Sequence, residues 1–266
     1  MGKAVQDSES GHVKDPATYP VLIVPGYGAP GFQTELVGRK LREAGLDTVG
    51  IQLPWLAMGD MVRAADVLAE QVRRVREYRG FEKVNLMGFS LGGLIARYYL
   101  QEMEGHPHLS RGAFVSSPNY GTYFGYLGFF SPAGRQVRPG SPFIEALNSS
   151  PLYESISRRC LSIFVRWDGV ILPCFSSYMP HGYNLMLPRP ISHWRAVMSD
   201  EIIGRASEFL GGGMPEGALP GRELGLMEEG GMVAVTYCPP PRRRYWSLVS
   251  APLRSLFQRI MATFRR

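Results

Sequence analysis

The sequence predicts an α/β domain whose central sheet is mainly parallel and carries helices on both faces. Three observations lead there. Short apolar, β-branched runs recur without polar alternation, as strands buried on both sides do. Segments with helical periodicity separate them, so strand and helix alternate along the chain. With 266 residues there is length for one such domain plus an extension at an end.

The elements follow in order. Residues 1–18 form a polar arm, and Tyr19–Val24 (YPVLIV) reads as the first buried strand, stopped by Pro25-Gly26. Residues 33–44 carry helix formers up to Gly45, and LDTVGIQL (46–53) is the second strand. Asp60 caps a helix over 61–79, with Val62, Ala65, Ala69, Val72 and Val75 at helical spacing and Gly80 as its stop. KVNLM (83–87) is a strand, 91–103 a helix, and a further strand begins at 112. The pattern loosens over 119–158, a lid- or cap-like insertion. Its stretch 120–130 sets Tyr120, Tyr123, Phe124, Tyr126, Leu127, Phe129 and Phe130 among glycines. Inside the insertion, Ser141 and Pro142 open a short helix. Cys160–Val165 is a strand, Tyr183–Leu187 the expected last strand, and 195–210 one helix. The domain is thus expected over 19–210, followed by a linker over 211–246 that opens with the Gly-rich run 211–221, and then a tail over 247–266.

Composition excludes several classes. Hydrophobic residues at 45% and charged residues at 20% fit a globular chain rather than a disordered one. The net charge is +6, yet residues 241–266 alone hold seven arginines and no acid, so the body is close to neutral. A neutral body gives no electrostatic footprint for nucleic acid. In the tail, Leu253, Leu256, Phe257, Ile260, Met261 and Phe264 fall on one face of a helix, with Arg254, Arg259, Arg265 and Arg266 elsewhere. Such a helix is expected to lie in a membrane interface or to dock on a partner or on the protein itself. The three cysteines (160, 174, 238) fit no metal spacing, no secretory signal is visible, and Gln6 stands where a myristoylation motif wants Ser or Thr. A cytoplasmic location, with peripheral membrane contact through the tail, is the expectation.

The chemistry lies in Gly88-Phe89-Ser90-Leu91-Gly92, a G-x-S-x-G between a predicted strand and a predicted helix. In that setting a tight turn lifts the serine hydroxyl above the sheet, and glycines two residues either side avoid collision. A serine needs a base, and the base an orienting acid, in the chain order Ser, acid, His. His12 sits in the arm, while His106 and His108 precede any later acid. His193, in the loop after the expected last strand, is the preferred base, and His181 stays as the alternative. Asp168, just past the strand 160–165, is the preferred acid. Asp200 follows His193 and Glu154 precedes the strand, so both are disfavoured. Backbone donors for an oxyanion are expected at Leu91, after the serine, and at Tyr27, in the loop after the first strand.

Four segments, VPGYG, GFSLGG, VRWDGVILP and ISHWRAV, with SSPNYGT beside them, resemble the compact bacterial lipases and esterases of the α/β-hydrolase superfamily. The likeness spans about residues 19–210. It implies an α/β-hydrolase fold, hydrolysis of a carboxylic ester or lipid through an acyl-enzyme, and no organic cofactor or metal. It also implies Ser90, Asp168 and His193 as triad with Tyr27 and Leu91 as oxyanion donors. Many members have His-Gly where this chain has Pro25-Gly26. A thioesterase, an acyltransferase using the same triad, and a non-catalytic lipid-binding or scaffold protein remain alternatives at this point.

Overall fold

A computed structural model describes residues 15–29, 31–53, 57–127, 131–188 and 191–221. The basic tail, most of the N-terminal arm, Phe129, Phe130 and Cys238 lie outside the described residues.

Seven strands make one sheet: β1 (Val21–Val24), β2 (Thr48–Gly50), β3 (Val84–Phe89), β4 (Leu109–Val115), β5 (Cys160–Val165), β6 (Tyr183–Leu187) and β7 (Leu219–Pro220). Their order is β2-β1-β3-β4-β5-β6-β7. All neighbours are parallel except β6 and β7. Period-two alternation divides the core. Leu22, Val24, Leu86 and Phe114 face one side, where they meet α2 (Met61–Arg79), α3 (Leu91–Glu102), α5 (Pro142–Ser149) and α6 (Tyr153–Ser157). Val21, Ile23, Met87, Phe89 and Val115 face the other, against α1 (Gly31–Glu43), α7 (His193–Met198) and α8 (Asp200–Leu210). A chain that steps from β1 outward to β2 and then back across to β3 creates a switch point between β1 and β3. Ligands of open α/β sheets gather at the carboxyl edge of such a point.

Several expectations hold to the residue. α2 runs from the Asp60 cap, whose carboxylate accepts the Val62 N–H, to Gly80 at φ 69°. Ser141 caps α5 by accepting the Ile144 N–H. Others change. The helix expected over 195–210 is two helices, because Ser199 turns extended and caps α8 through the Ile202 N–H. Leu219 and Pro220, expected within the linker, pair antiparallel with Tyr183 and Asn184, so β6 is not the last strand. The insertion holds more structure than one helix, adding α4 (Pro132–Gln136) and α6. Residues 15–18, placed in the arm, are tied to the body, since Asn85 Nδ2 donates to Pro16 O at 2.8 Å. Among the described residues no helix is long and apolar enough to cross a membrane.

The insertion is anchored by Arg97 of α3, a side chain almost wholly withdrawn from solvent. Its guanidinium donates to Gln101 Oε1, to Asn119 O and Oδ1, to Leu147 O and to Asn148 Oδ1, and it stacks 4.4 Å over the Tyr153 ring. These acceptors are neutral, and together they spread over the buried cation what one carboxylate would otherwise supply. They fasten the loop after β4 and the end of α5 to the helix that follows Ser90.

Candidate active site

Ser90 stands between β3 and α3 at φ 51°, ψ −120°, a conformation L-residues rarely adopt. The chain reverses so tightly there that glycine is required on either side. A Cβ on Gly92 would come within 2.2 Å of Val24 O, and one on Gly88 within 2.6 Å of Gly93 N. The strand supports the turn, because the Ser90 N–H donates to Val115 O at 2.8 Å.

His193 is the first residue of α7 rather than part of the loop before it. Its Nδ1 lies 2.9 Å from Asp168 Oδ2, and both side chains are buried. The second carboxylate oxygen, Oδ1, accepts the N–H groups of Val170 (3.0 Å) and Ile171 (2.9 Å). Burial works to raise the Asp168 pKa. The hydrogen bond and charge of the imidazole, with the two amides, outweigh it and hold the carboxyl below its ordinary value. Asp168 is therefore ionised at neutral pH and can only accept. His193 Nδ1–H is therefore the donor in this contact, and Nε2 is the ring nitrogen that Asp168 does not engage.

Ser90 and His193 line one cavity of about 310 Å³. Gly26, Tyr27, Ala29 and Leu91 also line it. Tyr27 lies in the turn closed by Ala29 N–H on Gly26 O at 3.3 Å. Leu91 is the first residue of α3, where an N–H has no intrahelical acceptor. The walls are apolar: Phe89, Phe124, Leu127, Val137, Val170, Ile171, Trp194 and Val197. Phe124, Gly125 and Leu127 come from the aromatic stretch of the insertion.

Sequence reading missed Thr122 and Gln33, which also line the cavity. Thr122 Oγ1 donates to Val170 O at 2.6 Å and accepts the N–H groups of Leu172 (3.0 Å) and Phe124 (3.2 Å). One hydroxyl thus joins the cavity wall to the loop that carries Asp168.

The other candidates lie elsewhere. His106 and His108 form a turn before β4, at the amino edge of the sheet. His181 precedes β6 and packs edge-on against Tyr153. Asp200 is in an ion pair with Lys40, and Glu154 with Arg158. Burial pushes the Cys160 thiol up to about 12 and that of Cys174 up to about 11, so neither supplies a thiolate nucleophile at neutral pH. Among the described residues no group of three or more His, Cys, Asp or Glu is gathered as a metal site would need.

Comparison with known proteins agrees with this architecture. The family described as alpha/beta hydrolase fold matches residues 19–125. Among solved structures, Aspergillus fumigatus lipase B superposes with a TM-score of 0.63 at 17% identity, covering 74% of this chain and 53% of that one. This chain thus spans about half the length of the fungal lipase. The mature form of Bacillus licheniformis lipase BlEst2 gives 0.57 at 16% identity, covering 69% of this chain and 88% of its own. A gene product of Listeria innocua gives 0.54 at 13% identity, covering 74% and 96%. No curated protein sequence matches the chain.

Proposed function

We propose that this α/β-hydrolase-fold chain, which resembles bacterial lipases and esterases, is a serine hydrolase of carboxylic esters with Ser90, Asp168 and His193 as its triad. One observation carries the reading: His193, held 2.9 Å from the buried Asp168, lines the same cavity as a strained serine at the sheet's switch point.

Each part has a physical task. Asp168 fixes the tautomer and stabilises the imidazolium as it forms. His193 Nε2 takes the proton from Ser90 Oγ as that oxygen attacks the ester carbonyl, and then gives it to the departing alkoxide. The Tyr27 and Leu91 N–H groups receive the oxyanion, an interaction worth about 2.7–4 kcal/mol per donor in comparable sites. Water then repeats the sequence on the acyl-enzyme and releases the acid. The apolar walls suit an acyl group without charge, and the insertion carrying Phe124 and Leu127 is the cap over it.

The test is turnover of short- and long-chain p-nitrophenyl esters by wild type and by Ser90→Ala, with circular dichroism to establish that both are folded. The proposal expects wild-type turnover and a loss of about a thousandfold or more in the variant. Folded proteins that are equally active, or both inert on every ester, would overturn it, and thioesters and acyl acceptors other than water would be the next substrates.

A further inference from the structure

The cavity that holds Ser90 and His193 reaches across the end of the sheet. Val137 on one side belongs to the core against α2 and α3, and Val197 on the other to the core against α1 and α7. The two ends differ in chemistry. Beside Val137 the wall is Phe124, Val170 and Ile171, and the polar side chain set among them is Thr122, whose N–H donates to Val137 O at 2.8 Å. A hydroxyl has one proton to donate and two lone pairs to accept with. Thr122 uses all three inside the protein, on Val170 O and on the N–H groups of Leu172 and Phe124, so nothing is left for a ligand. This end can meet only an apolar group.

The other end carries Gln33, in the first turn of α1, and α1 packs against α7 with its Trp194 and Val197. Gln33 is half-buried, and its carboxamide makes no hydrogen bond among the described residues. The neighbouring polar rings are placed differently. Tyr27 packs against the core of the α2 face, and Trp194 is largely open to water. Among the described residues that line the cavity there is no lysine, arginine, aspartate or glutamate. A charged group entering it would be covered without a partner of opposite sign, which is unfavourable. A carboxamide offers two N–H donors and a carbonyl acceptor without charge, and so matches a neutral oxygen function.

We infer that Gln33 is a specificity-determining residue that hydrogen-bonds a hydroxyl or carbonyl oxygen on the alcohol part of the ester. The inference rests on the ester-hydrolase reading of the site. The acyl group lies along Phe124, Val137 and Ile171, where no polar atom waits for it, and the alcohol part turns toward α1. An ester of a plain alkyl alcohol covers the Gln33 amide and leaves it unpaired. That loss is what lets a polar contact discriminate between substrates more sharply than an apolar one.

The experiment compares 1-butanoylglycerol with propyl butanoate, which share the acyl group and the alcohol's carbon count and differ by two hydroxyls. Propyl 3-hydroxybutanoate, with a hydroxyl on the acyl part instead, is the third ester. Wild type, Gln33→Met and Gln33→Leu are assayed for kcat/KM by acid release, and Ser90→Ala with and without each change is titrated calorimetrically for Kd. Both Gln33 variants are expected to keep the melting temperature and to lower the glyceryl-to-propyl ratio by about fivefold or more in both readouts. The ratio of the acyl-hydroxylated ester to propyl butanoate should not move. A glyceryl-to-propyl ratio unchanged in both variants, an equal loss on all three esters, or a change confined to the acyl-hydroxylated ester would overturn the inference. If wild type turns over none of the esters, the ester-hydrolase reading fails, and the calorimetric ratio still decides whether Gln33 selects a hydroxylated ligand.

Discussion

Two serines end adjacent strands of the sheet in strained backbone, and their surroundings separate them. Ser90 follows β3 at φ 51° and Ser116 follows β4 at φ 46°. Both N–H groups bond to the next strand at 2.8 Å, to Val115 O and Ile163 O. Yet Ser90 opens into the cavity beside His193, whereas Ser116 is fully buried and its hydroxyl makes no hydrogen bond among the described residues. Strain aims a side chain; a base, a cavity and nearby amide donors are what turn it into a candidate nucleophile. Ser116 has the first without the others.

Substitutions can break or sharpen that contrast. The largest effect after Ser90→Ala is expected from Asp168→Asn, about 10³- to 10⁴-fold in kcat/KM, because an amide facing Nδ1 favours the tautomer that protonates Nε2. The same residue sets an acid limit on stability. Its folded pKa lies below the unfolded value of about 3.9, so its contribution is full above that pH and fades as pH falls through the folded value. Urea midpoints of wild type should therefore drop below about pH 4 more than those of Asp168→Asn. Arg97→Met is expected to cost about 2–4 kcal/mol in urea unfolding, since it leaves Gln101 Oε1, Asn119 Oδ1 and Asn148 Oδ1 without their donor. Thr122→Val keeps the shape but removes the hydroxyl that joins the cavity wall to the Asp168 loop. It should lower kcat several-fold with a smaller change in KM, and Thr122→Ser should restore it. Ser116→Ala is the smallest: activity within about twofold and stability within about 0.5 kcal/mol, because it deletes a hydroxyl without a partner. A thousandfold loss there would mean that strained geometry alone had been mistaken for the nucleophile's setting.

What could be read from the sequence follows from how local each signal is. α2 was legible at both ends because Asp60 and Gly80 are cap residues acting within one turn. The strands 160–165 and 183–187 were legible as mainly apolar runs, each broken by one polar residue, Ser162 and Asn184. The Ser-acid-His order could be read because strand ends define the edge on which the residues meet. The break at Ser199 was hidden by Val197, Ile202, Ala206 and Leu210, which keep one apolar face across it. Its signal was present all the same, since Ser199 followed by Asp200 and Glu201 is an N-terminal pattern. β7 had no local signal: two residues become a strand only because β6 offers an edge. Thr122 and Arg97 were invisible for the same reason, since the partners that tie them to other elements lie 22 to 51 residues away.

The most direct measurement is covalent: the folded protein is treated with a fluorophosphonate, and the modified peptide is located by mass spectrometry. Modification confined to Ser90, and abolished in a folded His193→Ala variant, is the predicted result. Modification at Ser116 or another serine, or labelling of Ser90 that persists undiminished without His193, would contradict the assignment of this site as a serine hydrolase centre.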